Sequence, residues 1–250
     1  MKSRSQTRCF GVPGPSPWGE TIDALMNHPV LSQSDLPAWQ RSASDEWVNA
    51  LTHAFGFVLA VAGALVMAGS VMSHGDGWLI AGCGVYLISL VAVYAMSTLS
   101  HSVSSARWKS WFRRLDQGCI YLLIVGTYTP FSLAYLQGGW SLFLGAMWCI
   151  AILGFAAKVF FAHQVDTASV VSYIVLGWMS VIAAPAFLQS MPAGALGAML
   201  GGGVCYTAGT FFLVYDTHVR HFHALWHLCV IAGSACHFLG ILVFVVGSGR

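Results

Sequence analysis

Seven apolar segments dominate the sequence after residue 46. A helix needs about 20 apolar residues to cross roughly 30 Å of hydrocarbon. Because lipid cannot hydrogen-bond to backbone groups, a spanning segment must be a helix or a strand of a closed barrel. Continuous apolarity without two-residue alternation favours helices. The predicted spans are residues 47–71, 77–100, 115–136, 139–161, 168–189, 193–215 and 222–247. The sequence therefore predicts an all-α integral membrane protein with a seven-helix bundle.

Composition supports this class and argues against several others. Of the 250 residues, 57% are hydrophobic and only 8% are charged, whereas soluble proteins carry about 25% charged residues. A net charge of +2 gives no basis for nucleic-acid binding. The seven cysteines form no CxxC pair, so small buried side chains are expected rather than a disulfide framework. Residues 1–46 are polar and form a predicted cytoplasmic tail, and residues 47–250 form the transmembrane domain.

Lysine and arginine residues predict the orientation of the bundle. Ten of the eleven lie in the tail or in the loops after the second, fourth and sixth spans, among them Arg107, Lys109, Arg113 and Arg114. Cytoplasmic loops carry an excess of these residues. The N-terminus is therefore expected in the cytoplasm and the C-terminus outside. The spacing of Gly197 and Gly201 predicts close helix packing in the sixth span.

Three histidines are expected at one depth on the cytoplasmic side. His101 ends the second span, and His223 and His227 begin the seventh, one turn apart on one helix face. Three neutral imidazoles with an open position are typical of a catalytic zinc site. The three residues between His223 and His227 include no glutamate, so a general base must come from elsewhere.

Asp116 and Ser97 are the other candidates for chemistry. Asp116 is predicted to begin the third span, where it complements the helix dipole, holds a water at the metal, or acts as a general base. Ser97 lies one turn before His101. Its hydroxyl either supports a ligand or an oxyanion, or bonds to a carbonyl of its own helix.

Further polar residues lie inside the predicted spans. His53, in the first span, is a secondary candidate for a fourth ligand, a proton relay, or a packing or supporting residue, with the last role ranked first. His237 is ten residues beyond His227, about 15 Å along a helix, which is too far to share the same ion. Thr127 and Tyr128 precede Pro130 and predict a kink beside a cavity.

Four segments together resemble the progestin and adipoQ receptor family, most closely its bacterial hemolysin III-like branch. They are EWVNALTHAFG at 46–56, STLSH at 97–101, RLDQGCIYLLIVGTYTPF at 114–131 and HALWHLCVIAGSACH at 223–237. The resemblance implies a zinc ion held by His101, His223 and His227, with Asp116 acting on a water there and Ser97 adjacent. It also implies a multi-pass protein of the bacterial inner membrane. The wider superfamily, which includes adiponectin receptors and alkaline ceramidases, is associated with hydrolysis of lipid amides.

Three functions follow as hypotheses. The first is a zinc-dependent intramembrane hydrolase of a lipid amide or ester, similar to ceramidases, which would control the state of membrane lipids and whose partner is membrane lipid. The second is a receptor or sensor with a structural zinc. The third, a pore, is disfavoured because the middles of the fourth, fifth and sixth spans carry no charge. The sequence does not predict an oligomeric state.

Overall fold

The computed structural model describes residues 43–73, 77–136, 138–161 and 167–247, and these residues are all-helical with no strand among them. Within these ranges, seven helices are long and apolar enough to cross a membrane. This confirms the predicted seven-helix membrane bundle. The α-helices are Ala43–Met72, Gly77–Ser102, Ala106–Tyr135, Trp140–Phe160, Thr167–Trp178, Ala184–Ser190, Ala193–Val214 and Phe222–Gly240. Almost all of the predicted tail lies outside the described residues.

The first four of these helices are spans 1 to 4, and Ala193–Val214 is span 6. Spans 5 and 7 each combine more than one helical element. Span 5 consists of Thr167–Trp178, the 3-10 turn Met179–Ala183 and Ala184–Ser190, and span 7 ends in a π-helical turn, Ile241–Val246. The irregular turn in span 5 disturbs the regular backbone bonds there. Tyr128 of span 3 donates a hydrogen bond to the Gly177 carbonyl, and Ser180 donates to the Tyr128 hydroxyl at 3.0 Å. The interrupted helix is therefore tied to span 3.

Span 3 differs most from its predicted bounds. It begins at Ala106, not at residue 115. The basic stretch from Arg107 to Arg114, which was predicted to be a loop, therefore forms the first turns of the helix. A hydropathy pattern detects apolar composition and misses a polar helical extension. Asp116 consequently lies ten residues after the start of the helix, about 15 Å along its axis. Because the dipole effect fades within the first turn, the helix-dipole role considered for Asp116 is wrong.

Close packing of spans 6 and 7 depends on glycines other than the predicted pair. A Cβ at Gly197 would meet nothing within 4 Å, and one at Gly201 would meet only a sulfur at 3.9 Å. A Cβ at Gly202 would instead lie 2.4 Å from His237 Nε2, and one at Gly209 would lie 2.8 Å from Trp226. The close contacts therefore lie on the face of span 6 that carries Gly202 and Gly209, where the absence of a side chain lets span 7 approach.

Packing brings four helix ends together. Span 1 packs against spans 2 and 7, and span 2 also packs against span 3. The start of spans 1, 3 and 7 and the end of span 2 therefore meet at one end of the bundle. This end carries the three predicted histidines and is called the histidine end below.

Candidate metal centre

The three histidines predicted to share one depth are neighbours in space. One ring nitrogen from each of His101, His223 and His227 lies within 4.8 Å of those of the other two. The ring centroids are 4.5 Å apart for His223 and His227, 5.0 Å for His101 and His223, and 5.3 Å for His101 and His227. This group could hold a metal ion.

Each of these imidazoles is oriented through its Nδ1 atom by an oxygen. His101 Nδ1 lies 2.8 Å from Glu46 Oε2, and His223 Nδ1 lies 2.8 Å from Asp216 Oδ2. His227 Nδ1 lies 3.0 Å from the hydroxyl of Thr52. A histidine that binds a metal generally has its other ring nitrogen held in this way.

These partners also select the tautomer that a metal requires. An ionised carboxylate can only accept, so Nδ1 of His101 and of His223 carries the hydrogen. Thr52 donates its own hydrogen to the Asn49 carbonyl at 2.9 Å, so it too can only accept from His227. All three Nε2 atoms are therefore left with a lone pair. Three neutral imidazoles fit zinc, which accepts nitrogen ligands and keeps an open position in catalytic sites.

Ion pairs around the three histidines tie neighbouring helix ends together. Lys109 of span 3 donates to Glu46 at 2.7 Å. In the loop before span 7, Arg220 donates to Asp45 at 3.1 Å, and the exposed His221 lies 3.5 Å from the same carboxylate. These contacts hold the starts of spans 1, 3 and 7 around the candidate ligands.

Three residues that orient the histidines were not predicted from the sequence: Glu46, Asp216 and Thr52. The two carboxylates were not considered as partners because they lie near helix ends. A usable signal existed, since buried neutral imidazoles require acceptors and both carboxylates lie near the depth of the histidines. The threonine had no such signal, because its role depends on how spans 1 and 7 are rotated against each other.

Asp116 lies beside the three histidines without belonging to their group. Its carboxylate interacts with His223, Ser97, Arg113 and Ser100. The Ser97 side chain is 1% exposed. Its hydroxyl faces the Asp116 carboxylate and makes no hydrogen bond to a carbonyl of the described residues. The carbonyl bond considered as its alternative role is therefore absent. An acid and the hydroxyl that interacts with it thus flank the candidate metal position.

His53 packs directly against one candidate ligand. Its ring centroid lies 3.5 Å from that of His227 and 5.2 Å from that of Tyr94. The side chain is 3% exposed, and neither ring nitrogen has a hydrogen-bond partner in the part of the chain that the structure describes. This position agrees with a supporting role, and the role itself stays a prediction.

An apolar cavity begins one helical turn inward from the histidines. Its lining includes Val93, Ile120 and Val230, which lie four residues before Ser97, four after Asp116 and three after His227. Thr127 and Tyr128 also line it, as the sequence predicted. The cavity volume is about 100 Å³. The polar side chains of the candidate site and the apolar cavity are therefore adjacent.

Comparison with known proteins identifies the family. The family model described as "Haemolysin-III related" matches residues 41–238. The chain belongs to this family. It is 35% identical to Hemolysin-3 of Bacillus cereus over 81% of this chain and 92% of the relative. It is 33% identical to the Hemolysin-3 homolog of Bacillus subtilis over 81% and 95%.

A more distant relative extends the comparison to animals. The chain is 25% identical to the human Monocyte to macrophage differentiation factor, over 90% of this chain and 93% of that protein. These matches confirm the resemblance to the progestin and adipoQ receptor family and its hemolysin III-like branch. The matched residues include all three candidate ligands.

Proposed function

We propose that this protein is a zinc-dependent membrane hydrolase that cleaves a lipid amide or ester. The observation that carries this proposal is the set of three imidazoles whose Nδ1 atoms are all held by acceptors. Such a site would bind zinc through three nitrogen atoms and leave a position open. When bound, zinc supplies Lewis acidity, which polarises a carbonyl and acidifies water.

The other residues of the site have separate tasks in this proposal. Asp116 accepts a proton as water attacks the carbonyl carbon, and delivers that proton to the departing nitrogen or oxygen. One C–O bond forms, and the C–N or C–O bond to the leaving group breaks. Ser97 can turn its hydroxyl hydrogen from the Asp116 carboxylate to the carbonyl oxygen as negative charge develops there. Its burial keeps water from competing for this hydrogen bond.

A lipid substrate is supported by the cavity beside the site. Its lining is mostly apolar, and it starts one turn inward from His227 and Asp116. An acyl chain placed there would have its carbonyl at the polar end, next to the histidines. The proposed membrane is the bacterial inner membrane. The arginine and lysine residues concentrated at the histidine end support a cytoplasmic location for this end and for the N-terminus.

The experiment compares histidine variants for both metal content and hydrolysis. His101→Ala and His227→Ala are expected to lose zinc and to lose turnover of ceramide-like and phospholipid substrates. His218→Ala is the matched control, because His218 is exposed and its Nδ1 lies 2.9 Å from the hydroxyl of the neighbouring Thr217. Turnover by His227→Ala equal to that of His218→Ala would overturn the proposal.

A receptor or sensor with a structural zinc is the second candidate. It is favoured by the way the candidate ligands and their partners join spans 1, 2 and 7. Zinc removal would then lower the melting temperature, because a ligand that binds only the folded state stabilises it. The two functions are distinguished by turnover, since the hydrolase loses it with the metal and the sensor has none to lose.

A further inference from the structure

The far end of the apolar cavity contains an imidazole that the proposed function does not use. The cavity lies between spans 3, 5, 6 and 7, with Val93 of span 2 at its edge. His237 of span 7 lines it and is 4% exposed. It lies ten residues beyond His227, about 15 Å along the helix. His237 and the metal centre therefore contact different parts of any long ligand.

The protein environment determines the tautomer of His237. Its Nε2 atom lies 3.0 Å from the Met199 carbonyl, and a carbonyl only accepts. Nε2 therefore carries the hydrogen, and Nδ1 of the neutral ring is an acceptor. Nδ1 is buried and has no partner among the residues that the structure describes. A Cβ at Gly202 would lie 2.4 Å from Nε2, so the glycine leaves room for the ring in this position.

Seven hydroxyl side chains line the cavity, and the hydroxyl of one of them, Tyr206, lies 2.9 Å from the Ser234 hydroxyl. Thr127, Tyr128, Tyr173, Ser180, Thr207 and Thr210 all line the cavity and donate to acceptors within the protein. A ligand carbonyl or carboxylate placed among them would find these donors already engaged. A ligand hydroxyl has its own hydrogen to donate, and a buried acceptor without a partner is costly. The cavity is therefore suited to a ligand that donates.

We propose that this cavity binds a long-chain lipid with a hydroxyl group within its apolar chain, and that this hydroxyl donates a hydrogen bond to His237 Nδ1. The proposal rests on the proposed function only in placing a lipid chain in the cavity. It does not require the lipid to be hydrolysed. His237 would act as a specificity residue that distinguishes hydroxylated chains from unsubstituted ones.

The test measures binding to the purified full-length protein in detergent by displacement of a fluorescent fatty acid. The ligands are stearic acid, its monohydroxy derivatives at successive positions along the chain, and the oxo acids with a carbonyl at the same carbons. An oxo group is polar and of similar size but cannot donate. We expect at least one hydroxy acid to bind about fivefold to tenfold more tightly than its oxo partner, the range for one net hydrogen bond. Equal binding of both at every position would overturn the proposal.

Two variants assign the preference to His237. His237→Phe is expected to bind hydroxy and oxo acids equally, and a retained preference would contradict the assignment. Thr210→Val is the matched control, because it removes a cavity hydroxyl whose hydrogen bond stays within its own helix, and it should keep the preference. Where His237→Phe does not fold, the wild-type ligand series decides by itself.

A metal-centre variant separates this proposal from the proposed hydrolysis. His101→Ala should keep the preference for hydroxy acids even without zinc or turnover. Loss of the preference in that variant would show that the hydroxyl is recognised at the metal centre, and would overturn the role of His237. A protein without hydrolytic activity that still prefers hydroxy acids would contradict only the proposed function.

Discussion

Thr52→Val tests whether the outer partners of the histidines prepare the site for metal. Thr52 accepts from His227 Nδ1 at 3.0 Å while donating to Asn49 within its own helix. Valine has nearly the same shape and removes only the hydroxyl. His227 then loses its hydroxyl acceptor and keeps its backbone contact with Asn49, in a site where the side chain is 1% exposed. The ring is held less firmly in the tautomer and orientation that offer Nε2 as a ligand.

The expected effect is a weaker zinc affinity with an otherwise intact fold. Loss of such a partner typically costs about 10- to 100-fold in metal affinity, which corresponds to about 1.4 to 2.8 kcal/mol. The measurement is competition for zinc between the purified protein and a chromophoric chelator, together with the melting temperature of the metal-free protein. Metal-free protein should lose about 0.5–1.5 kcal/mol of stability, the net contribution of one hydrogen bond, because His227 keeps its backbone contact with Asn49.

Thr98→Val is the matched control for this measurement. Thr98 lies near the site on span 2, and its hydroxyl donates at 2.7 Å to the Tyr94 carbonyl of the same helix. It makes no contact with a candidate ligand through that bond, so zinc affinity should stay at the wild-type value. Equal zinc affinities for Thr52→Val and Thr98→Val would refute the reasoning that the Nδ1 partners prepare the three imidazoles.

Three further substitutions test the chemistry and the packing. Asp116→Asn should retain zinc and lower turnover about 10²- to 10⁴-fold, the range for a general base; turnover near wild type would exclude that role. Ser97→Ala should lower kcat about 10²-fold or more with zinc content unchanged, and an unchanged kcat would exclude oxyanion support. Gly202→Ala should destabilise the protein by about 1–3 kcal/mol in thermal unfolding, because its Cβ would lie 2.4 Å from His237 Nε2. Gly197→Ala, which faces open space, should be neutral or stabilising, and equal melting temperatures for these two glycine variants would contradict the packing.

The spans were predictable because a lipid environment makes apolar length nearly sufficient evidence for a helix. The predicted segments 77–100 and 193–215 agree closely with the helices Gly77–Ser102 and Ala193–Val214. The prediction failed at the start of span 3, where helix continues through a basic stretch at the bundle end. Hydropathy contains no information on helical residues outside the hydrocarbon, so Asp116 was misplaced at a helix terminus.

The candidate ligands were partly predictable because depth along a spanning helix can be counted from sequence. Counting brought His101, His223 and His227 to one level, and the structure places them together. Rotation of each helix about its axis cannot be counted in this way. Consequently the acceptors that orient the rings, and the stacking of His53 on His227, were found only in the structure.

The sequence by itself determined that the chain is a seven-helix membrane protein and which histidines share one depth. It did so because the hydrocarbon thickness sets span length, and span length sets depth. Only the tertiary structure decided which side chains face each other across helices. Glu46, Asp216 and Thr52 became partners of the histidines, and Gly202 rather than Gly197 received a neighbour. These contacts depend on how each helix is rotated and how closely the helices pack, and both are determined only when all the spans bury their surfaces together.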